Sequence, residues 1–312
     1  MHRGERIMRA RGRAGVRRGA RWLWGVLLGA LAAGNSAGAE PVAPAAPLTV
    51  MTFNLRYAGP RPPISWAERR PVTKALLETL QPDIIGTQEG LWQQVKEIAS
   101  DLPHHAWIGL GREGGSRGEF MAVYYRRERL EPLAFDHFWL SDTPSLIGST
   151  SWGNETVRMV TWVKFRDLQT GRLLYCFNTH FDHREQGSRE KSAGLVAERI
   201  AGLEPDLPVI LMGDFNSAAG SGSVYERLVG PDGLTDTWTT AARRGPAIGT
   251  FHNYAGPREG ASRIDWILTR GPLACQATEV VTFSANGQYP SDHFPVVATL
   301  AWEPAAPAPA TP

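Results

Sequence analysis

Residues 207–216 read LPVILMGDFN. Six apolar residues lead through Gly213 into Asp214-Phe215-Asn216. A short run of this kind, closed by turn residues, reads as a strand whose tip presents an acid and an amide. Asp-x-Asn is also ordinary Asx-turn chemistry. The tip alone therefore leaves two readings open: a simple turn, or reactive groups carried on a rigid element. The choice depends on whether other strands end in the same way.

They do. LTVMTFNL (48–55) alternates as a strand and brings Asn54 to its end. PDIIGTQE (82–89) is a short buried strand ending on Glu89, and LLYCFNTHF (173–181) delivers His180. RIDWILT (263–269) carries Asp265 between Ile264 and Trp266, and Asp292-His293 opens the strand FPVVATLAW (294–302). FMAVYYR (120–126) and MVTWVKFR (159–166) are further strands. Taken singly, Asn54 reads equally as a turn former, Glu89 as an acid favoured by a following helix N-terminus, and His180 as a core histidine. Asp265 is different, because an acid amid large apolar side chains must be paired or hydrogen-bonded.

Helices fall singly between these strands. Ser65 and Glu68 have capping-box spacing, and Pro71 suits the first turn of a helix running to Leu80. Residues 91–102 have helical spacing, as do Ala193, Val196, Ala197 and Ile200 within 187–203. Hairpin-clustered strands with single helices predict an α/β (α+β) fold of two facing mixed sheets with helices outside, rather than a strict β-α alternation. No internal repeat is present, and nothing inside 48–302 resembles an interdomain linker, so one domain is expected there.

The ends differ from this body. Residues 1–39 hold eight arginines, a short apolar run (22–33) and an Ala37-Gly38-Ala39 cleavage pattern, the layout of a secretory signal peptide. Arg17-Arg18 allows a twin-arginine route. The apolar run is shorter than the roughly 20 residues a membrane span needs, so cleavage without stable membrane insertion is expected. Pro/Ala-rich stretches follow at 40–47 and 303–312, too poor in bulky residues to pack. The full chain has 33 basic and 31 acidic residues; without residues 1–39 the balance becomes 25 to 30, a net −5. Such a surface does not attract polyanions in general, since nucleic-acid affinity rests on many Lys/Arg–phosphate contacts. Cys176 and Cys275 are the only cysteines, too few for a disulfide framework, and their pairing stays open.

Together, the ordered series N…QE…NTH…GDFN…RIDWI…SDH across 48–302 resembles the endonuclease/exonuclease/phosphatase superfamily, in a bacterial secreted branch. That superfamily includes deoxyribonuclease I-like nucleases, deadenylases, inositol-polyphosphate 5-phosphatases and bacterial sphingomyelinases. The resemblance implies a four-layered α/β sandwich that cleaves phosphate esters with Mg²⁺, with Mn²⁺ or Ca²⁺ as alternatives. It implies Asn54, Glu89 and Asp292 as metal ligands, and Asp214 as the group that orients or deprotonates water. Asn216, His180 and His293 would hold the phosphate, with Asp265 fixing the His293 ring. Closer similarity implies that Glu119 orients His180 and that Arg158 approaches the substrate phosphate. The glycine-rich stretch 109–119 lacks the GK[ST] ending of a phosphate-cradling loop; it reads as a mobile loop beside the site, offering Arg112 and Arg117. The expected substrate is a nucleic acid or nucleotide, short or single-stranded given the charge, cleaved as a phosphodiester by a monomer. A phospholipid, or a sugar or inositol phosphate, is the alternative, and a catalytically dead binding module is the remaining one.

Overall fold

The computed structural model describes residues 46–304, apart from Pro63 and Asp232. The expected signal peptide (1–39), and most of the Pro/Ala stretches at 40–47 and 303–312, lie outside the described residues. In chain order the elements are β1 (Leu48–Asn54), α1 (Trp66–Leu80), β2 (Ile84–Gly90), α2 (Trp92–Asp101), β3 (His105–Ile108), β4 (Phe120–Arg126) and β5 (Leu130–Trp139). There follow β6 (Met159–Asp167), β7 (Leu173–His180), α3 (Gln186–Ala201), β8 (Val209–Asp214), α4 (Ser223–Leu228) and β9 (Thr235–Asp236). The last five are α5 (Thr237–Thr240), β10 (Arg243–Arg244), β11 (Asp265–Arg270), β12 (Leu273–Val280) and β13 (Val296–Trp302).

The strands form two sheets. One has seven strands in the order β10-β12-β13-β1-β2-β4-β3, the other six in the order β5-β6-β7-β8-β11-β9. Both are mixed: β1 runs parallel to β2 and antiparallel to β13, while β8 runs parallel to β7 and antiparallel to β11. Side-chain alternation explains why the sheets stack. Leu48 and Val50 of β1 meet Cys176 of β7, Ile210 and Met212 of β8 and Ile267 of β11 in a core between the sheets. The intervening residues face outward. Met51 and Phe53 pack under Leu76 and Leu77 of α1 and Val95 and Ile98 of α2. Leu211 and Trp266 pack under Val196 of α3 and Val224 of α4. The result is the four-layered α/β sandwich, helix–sheet–sheet–helix. Cys176 and Cys275 are separate buried thiols in the central core.

Two local expectations change. Helix α1 begins at Trp66, so Pro71 is its sixth residue and lies inside the helix rather than in the first turn. Pro71 and Ala67 both face solvent, so water satisfies the Ala67 carbonyl that loses its helical donor. The helix starts early because Ser65 caps it and the Glu68 carboxylate accepts from the Ser65 N–H (3.3 Å). Strands β5 and β12, absent from the sequence reading, extend one edge of the six-stranded sheet and a flank of the seven-stranded one.

Candidate active site

The same alternation decides what emerges at one end of the sandwich. On β1, Asn54 shares its face with Leu48 and Val50; on β7, His180 shares its face with Cys176; on β8, Asp214 follows Ile210 and Met212. Each of these faces points between the sheets, so each strand tip puts its polar residue there. Registration brings them to one level: Asp214 is paired with His180 across β7–β8 and with Asp265 across β8–β11.

The contacts follow. Asp265 Oδ2 accepts from His293 Nδ1 at 3.0 Å, and His293 Nε2 lies 3.8 Å from Asp214 Oδ2. Asn54 Nδ2 donates to both Glu89 Oε1 and Asp214 Oδ2, each at 3.0 Å, linking the two carboxylates. Glu89 Oε2 accepts from the Tyr57 N–H at 3.1 Å, and Arg56 Nε stands 3.6 Å from Asp292 Oδ2. Asn216 donates its amide N–H groups to His180 Nε2 and the Phe181 carbonyl, both at 3.0 Å. That makes His180 Nε2 an acceptor and leaves its ring proton on Nδ1, where no described protein atom receives it. Arg158 Nη2 contacts His183 Nδ1 at 3.2 Å and its Nε lies 3.7 Å from Asp182.

Burial sets the charges. Asp214 is only 1% exposed; burial first, then the nearby Asp265 charge, pushes its carboxyl up to about 7. For His293, burial favours the neutral ring, but charge and hydrogen bonding from Asp265, with Asp214 adding, outweigh it and raise its pKa to about 10. The ring therefore stays an imidazolium at neutral pH. His180 goes the other way: burial, then the Arg158 charge, holds it well below the usual imidazole range. The two imidazoles thus enter any reaction in different protonation states.

One expected pair is corrected. Glu119 bonds to Arg112 and not to His180. The glycine-rich loop folds back so that the Arg112 N–H donates to the Glu119 carbonyl oxygen (2.9 Å), placing a permanent cation beside the carboxylate. A neutral buried imidazole does not compete with a guanidinium for that partner. Arg158, one residue before β6, is buried rather than exposed. Arg117 Nη2 donates to the Glu113 carbonyl oxygen within its own loop.

Other contributors escaped the sequence reading. Thr250 Oγ1 accepts from the Ile264 and Asp265 N–H groups (2.9 and 3.2 Å), and its carbonyl accepts from Phe294 N–H, so it ties Asp265 to the His293 loop. Asn178 crosses between the sheets: its amide donates to the Thr87 and Ala122 carbonyls (2.9 Å each) and its oxygen accepts from Gln88 (2.7 Å). The signal for Asn178 was present in NTH, since its spacing from His180 places both on the inner face. Phe251, 50% exposed, lies with its ring 5.0 Å from that of His293.

The residues suit a divalent cation. Glu89, Asp292 and the Asn54 carbonyl offer only oxygen, the donor set of hard ions. Burial, with Glu89 adding to it against the pull of His293, raises the Asp292 carboxyl above its usual range. A divalent cation held by Glu89 and Asp292 would offset that charge. Asp214, Asp265 and His293 form a titratable cluster whose ligand atoms lie within 4.8 Å of one another. Its imidazole is already committed to Asp265, so it reads as an acid–imidazole network beside the cation site.

A sandwich of two mixed sheets with carboxylates and imidazoles gathered at one end defines a class of phosphoric ester hydrolases. Over residues 51–293 the sequence matches the Endonuclease/Exonuclease/phosphatase family, and the chain belongs to that family. It is a divalent-metal-dependent enzyme acting on phosphoric esters. A solved endonuclease/exonuclease/phosphatase from Bacteroides vulgatus is 31% identical, with a TM-score of 0.78 covering 82% of this chain and 99% of the other. A mannosyl-6-phosphatase from Bacteroides thetaiotaomicron is 34% identical, with a TM-score of 0.77 over 82% and 100%. D. rerio TDP2, solved with single strand DNA product, is 18% identical, with a TM-score of 0.65 over 81% and 98%, a likeness of fold alone. An uncharacterized protein of Acanthamoeba polyphaga mimivirus is 30% identical over 161 residues, 49% of this chain. The match spans 59% of that curated relative's length.

Proposed function

We propose that the chain is an exported Mg²⁺-dependent phosphomonoesterase acting on a small phosphorylated sugar. The observation that carries this reading is the 34% identity to a mannosyl-6-phosphatase along that protein's whole length. The site supports it. Asp214, His180, His293 and Arg158 lie at most 5% exposed, a recessed floor that a terminal phosphate can reach more readily than one inside a polymer. The Phe251 ring at the rim offers a flat apolar face to a sugar ring. The Arg-rich leader with its apolar run supports export.

Glu89, Asp292 and Asn54 would hold the cation, which when bound polarises a phosphoryl oxygen or the leaving group. Asp214 accepts the proton of the attacking water. The His293 imidazolium faces the phosphate and offsets charge that develops on its oxygens, while Asn216, bonded to His180 and the Phe181 carbonyl, would have to release one of those bonds to donate to it. The bond from phosphorus to the sugar oxygen breaks as the water oxygen bonds, the sugar oxygen takes up a proton from solvent, and inorganic phosphate and the sugar leave. Mn²⁺ and Ca²⁺ satisfy the same donors less selectively.

The second reading is a phosphodiesterase acting on a nucleotide or short single strand, favoured by sequence features such as RIDWIL and TFNLR. Product analysis separates the two. With Mg²⁺, hexose 6-phosphates should release inorganic phosphate, while bis-nitrophenyl phosphate and single-stranded DNA react far more slowly. Cleavage of the diesters with no phosphate from any sugar ester would overturn the monoester assignment.

A further inference from the structure

An arginine is rarely fully buried, because its charge costs free energy unless hydrogen bonds replace the water it loses. Arg69, the fourth residue of α1, has no exposed surface. Its guanidinium carries five N–H donors, and each meets a backbone carbonyl. Nε reaches Ile64 (2.9 Å), Nη1 reaches Leu55 (2.6 Å) and Pro290 (2.9 Å), and Nη2 reaches Arg56 (3.0 Å) and Tyr57 (3.1 Å). What this set of bonds accomplishes depends on where those carbonyls lie.

Three of them belong to the turn that follows Asn54. A trans peptide is planar, so its carbonyl oxygen and its N–H point in opposite directions. The Leu55 carbonyl shares a peptide plane with the Arg56 N–H, which donates to Asn54 Oδ1 at 3.0 Å. The Arg56 carbonyl shares a plane with the Tyr57 N–H, which donates to Glu89 Oε2 at 3.1 Å. Holding the two oxygens therefore aims the two N–H groups at two of the side chains assigned to the cation. The turn is not relaxed: Arg56 is left-handed at φ 55°, a conformation its surroundings must maintain. The Pro290 carbonyl stands two residues before the third assigned side chain, Asp292. Between them, the Ser291 hydroxyl donates to the backbone carbonyl of Asn54 at 2.6 Å.

We propose that Arg69 is a positioning residue for the divalent-cation site, fixing the two peptide planes that orient Asn54 and Glu89 and tying them to the Asp292 loop. It acts through these backbone groups and not by touching the ion or the ester. Lysine cannot take its place, because an ammonium keeps the charge but has only three donors on one atom, without the planar fork. Groups that orient metal ligands indirectly commonly change metal affinity by about 10–100-fold. The inference rests on the cation site described above, and its test does not depend on hydrolysis.

Titration calorimetry of Mg²⁺ into chelator-treated full chain compares wild type, Arg69→Lys and Asp167→Asn, at a temperature where circular dichroism shows them folded. Arg69→Lys should raise the Kd about tenfold or more; a smaller rise overturns the proposal. Asp167→Asn breaks a buried ion pair with Arg129 (2.8 Å) at the end of β6 away from the His180 tip, and should leave the Kd unchanged. Equal weakening in both variants overturns the proposal, because affinity would then follow general stability alone. Amide hydrogen exchange in the wild type gives a reading that does not depend on whether Arg69→Lys folds. The Arg56 and Tyr57 N–H groups should already be protected in the metal-free protein, since Arg69 sets their planes before the ion arrives. Protection that appears only with Mg²⁺ overturns the proposal while leaving the cation assignment standing. Wild type that binds no Mg²⁺ removes the assignment and the proposal together.

Discussion

Glu89 sits at φ 60°, left-handed although it is not glycine, beside an irregularity in the β2–β4 pairing between Thr87 and Gly90. Such a conformation persists where the surroundings fix it, often at functional positions. Here it turns the carboxylate toward Asn54. Glu89→Gln should lower Mg²⁺-dependent phosphate release by several powers of ten while circular dichroism shows an intact fold. At His293 the argument concerns pH. A raised folded pKa means that its contribution to stability is complete below the unfolded value near 6.5. That contribution is lost as pH rises through about 10. Asp265→Asn removes the main opposing charge, so the imidazolium should deprotonate several units lower. The alkaline limb of kcat/KM should then shift toward or below neutral pH, and a profile identical to wild type would refute the pairing's role.

Among the elements, the strands bearing reactive tips were legible because each is a short apolar run ending in a polar residue, and alternation of faces does the rest. RIDWIL shows this clearly: Ile267 fixes the inner face and Asp265 must share it. Strand β5 was not legible, since exposed residues such as Phe135 break the alternation and Pro132 interrupts its register with β6. The Glu119–His180 pairing was misread because nothing in 109–119 declares that its loop folds Arg112 back onto the acid. Asn178 joins the two sheets near Gly86, where an added Cβ would come within 2.9 Å of the Asn178 side chain. Asn178→Ala strips bonds from Gln88 and two carbonyls in a dry interior, and should cost about 2–3 kcal/mol in urea unfolding. Gly86→Ala should also destabilise, by pressing on the same clamp.

At the scale of the molecule, one charged clasp binds distant parts of the chain. Asp167 at the end of β6 accepts from Arg129 Nε (2.8 Å) and Nη2 (3.0 Å) before β5 and from Trp302 Nε1 (2.6 Å) at the end of β13. Burial alone would raise the Asp167 carboxyl; the bonds from Arg129 and Trp302 outweigh it and hold it below its usual value. Its contribution is therefore present above pH about 4 and lost as pH falls toward the folded pKa. Asp167→Asn leaves Arg129 buried without its counter-charge and should cost about 3 kcal/mol at pH 7. Its unfolding free energy should also fall less steeply than that of wild type on acidification below pH 4.

The shared level of Asp214 with His180 and Asp265 has a consequence for how this chain tolerates change. Strand periodicity leaves no half-measure: a single inserted codon within Val209–Gly213 would send Asp214 to the helix-facing side and present its neighbour to the ester. Diversification of this scaffold is thus confined to the connecting loops, whose lengths can drift without disturbing the rungs beneath.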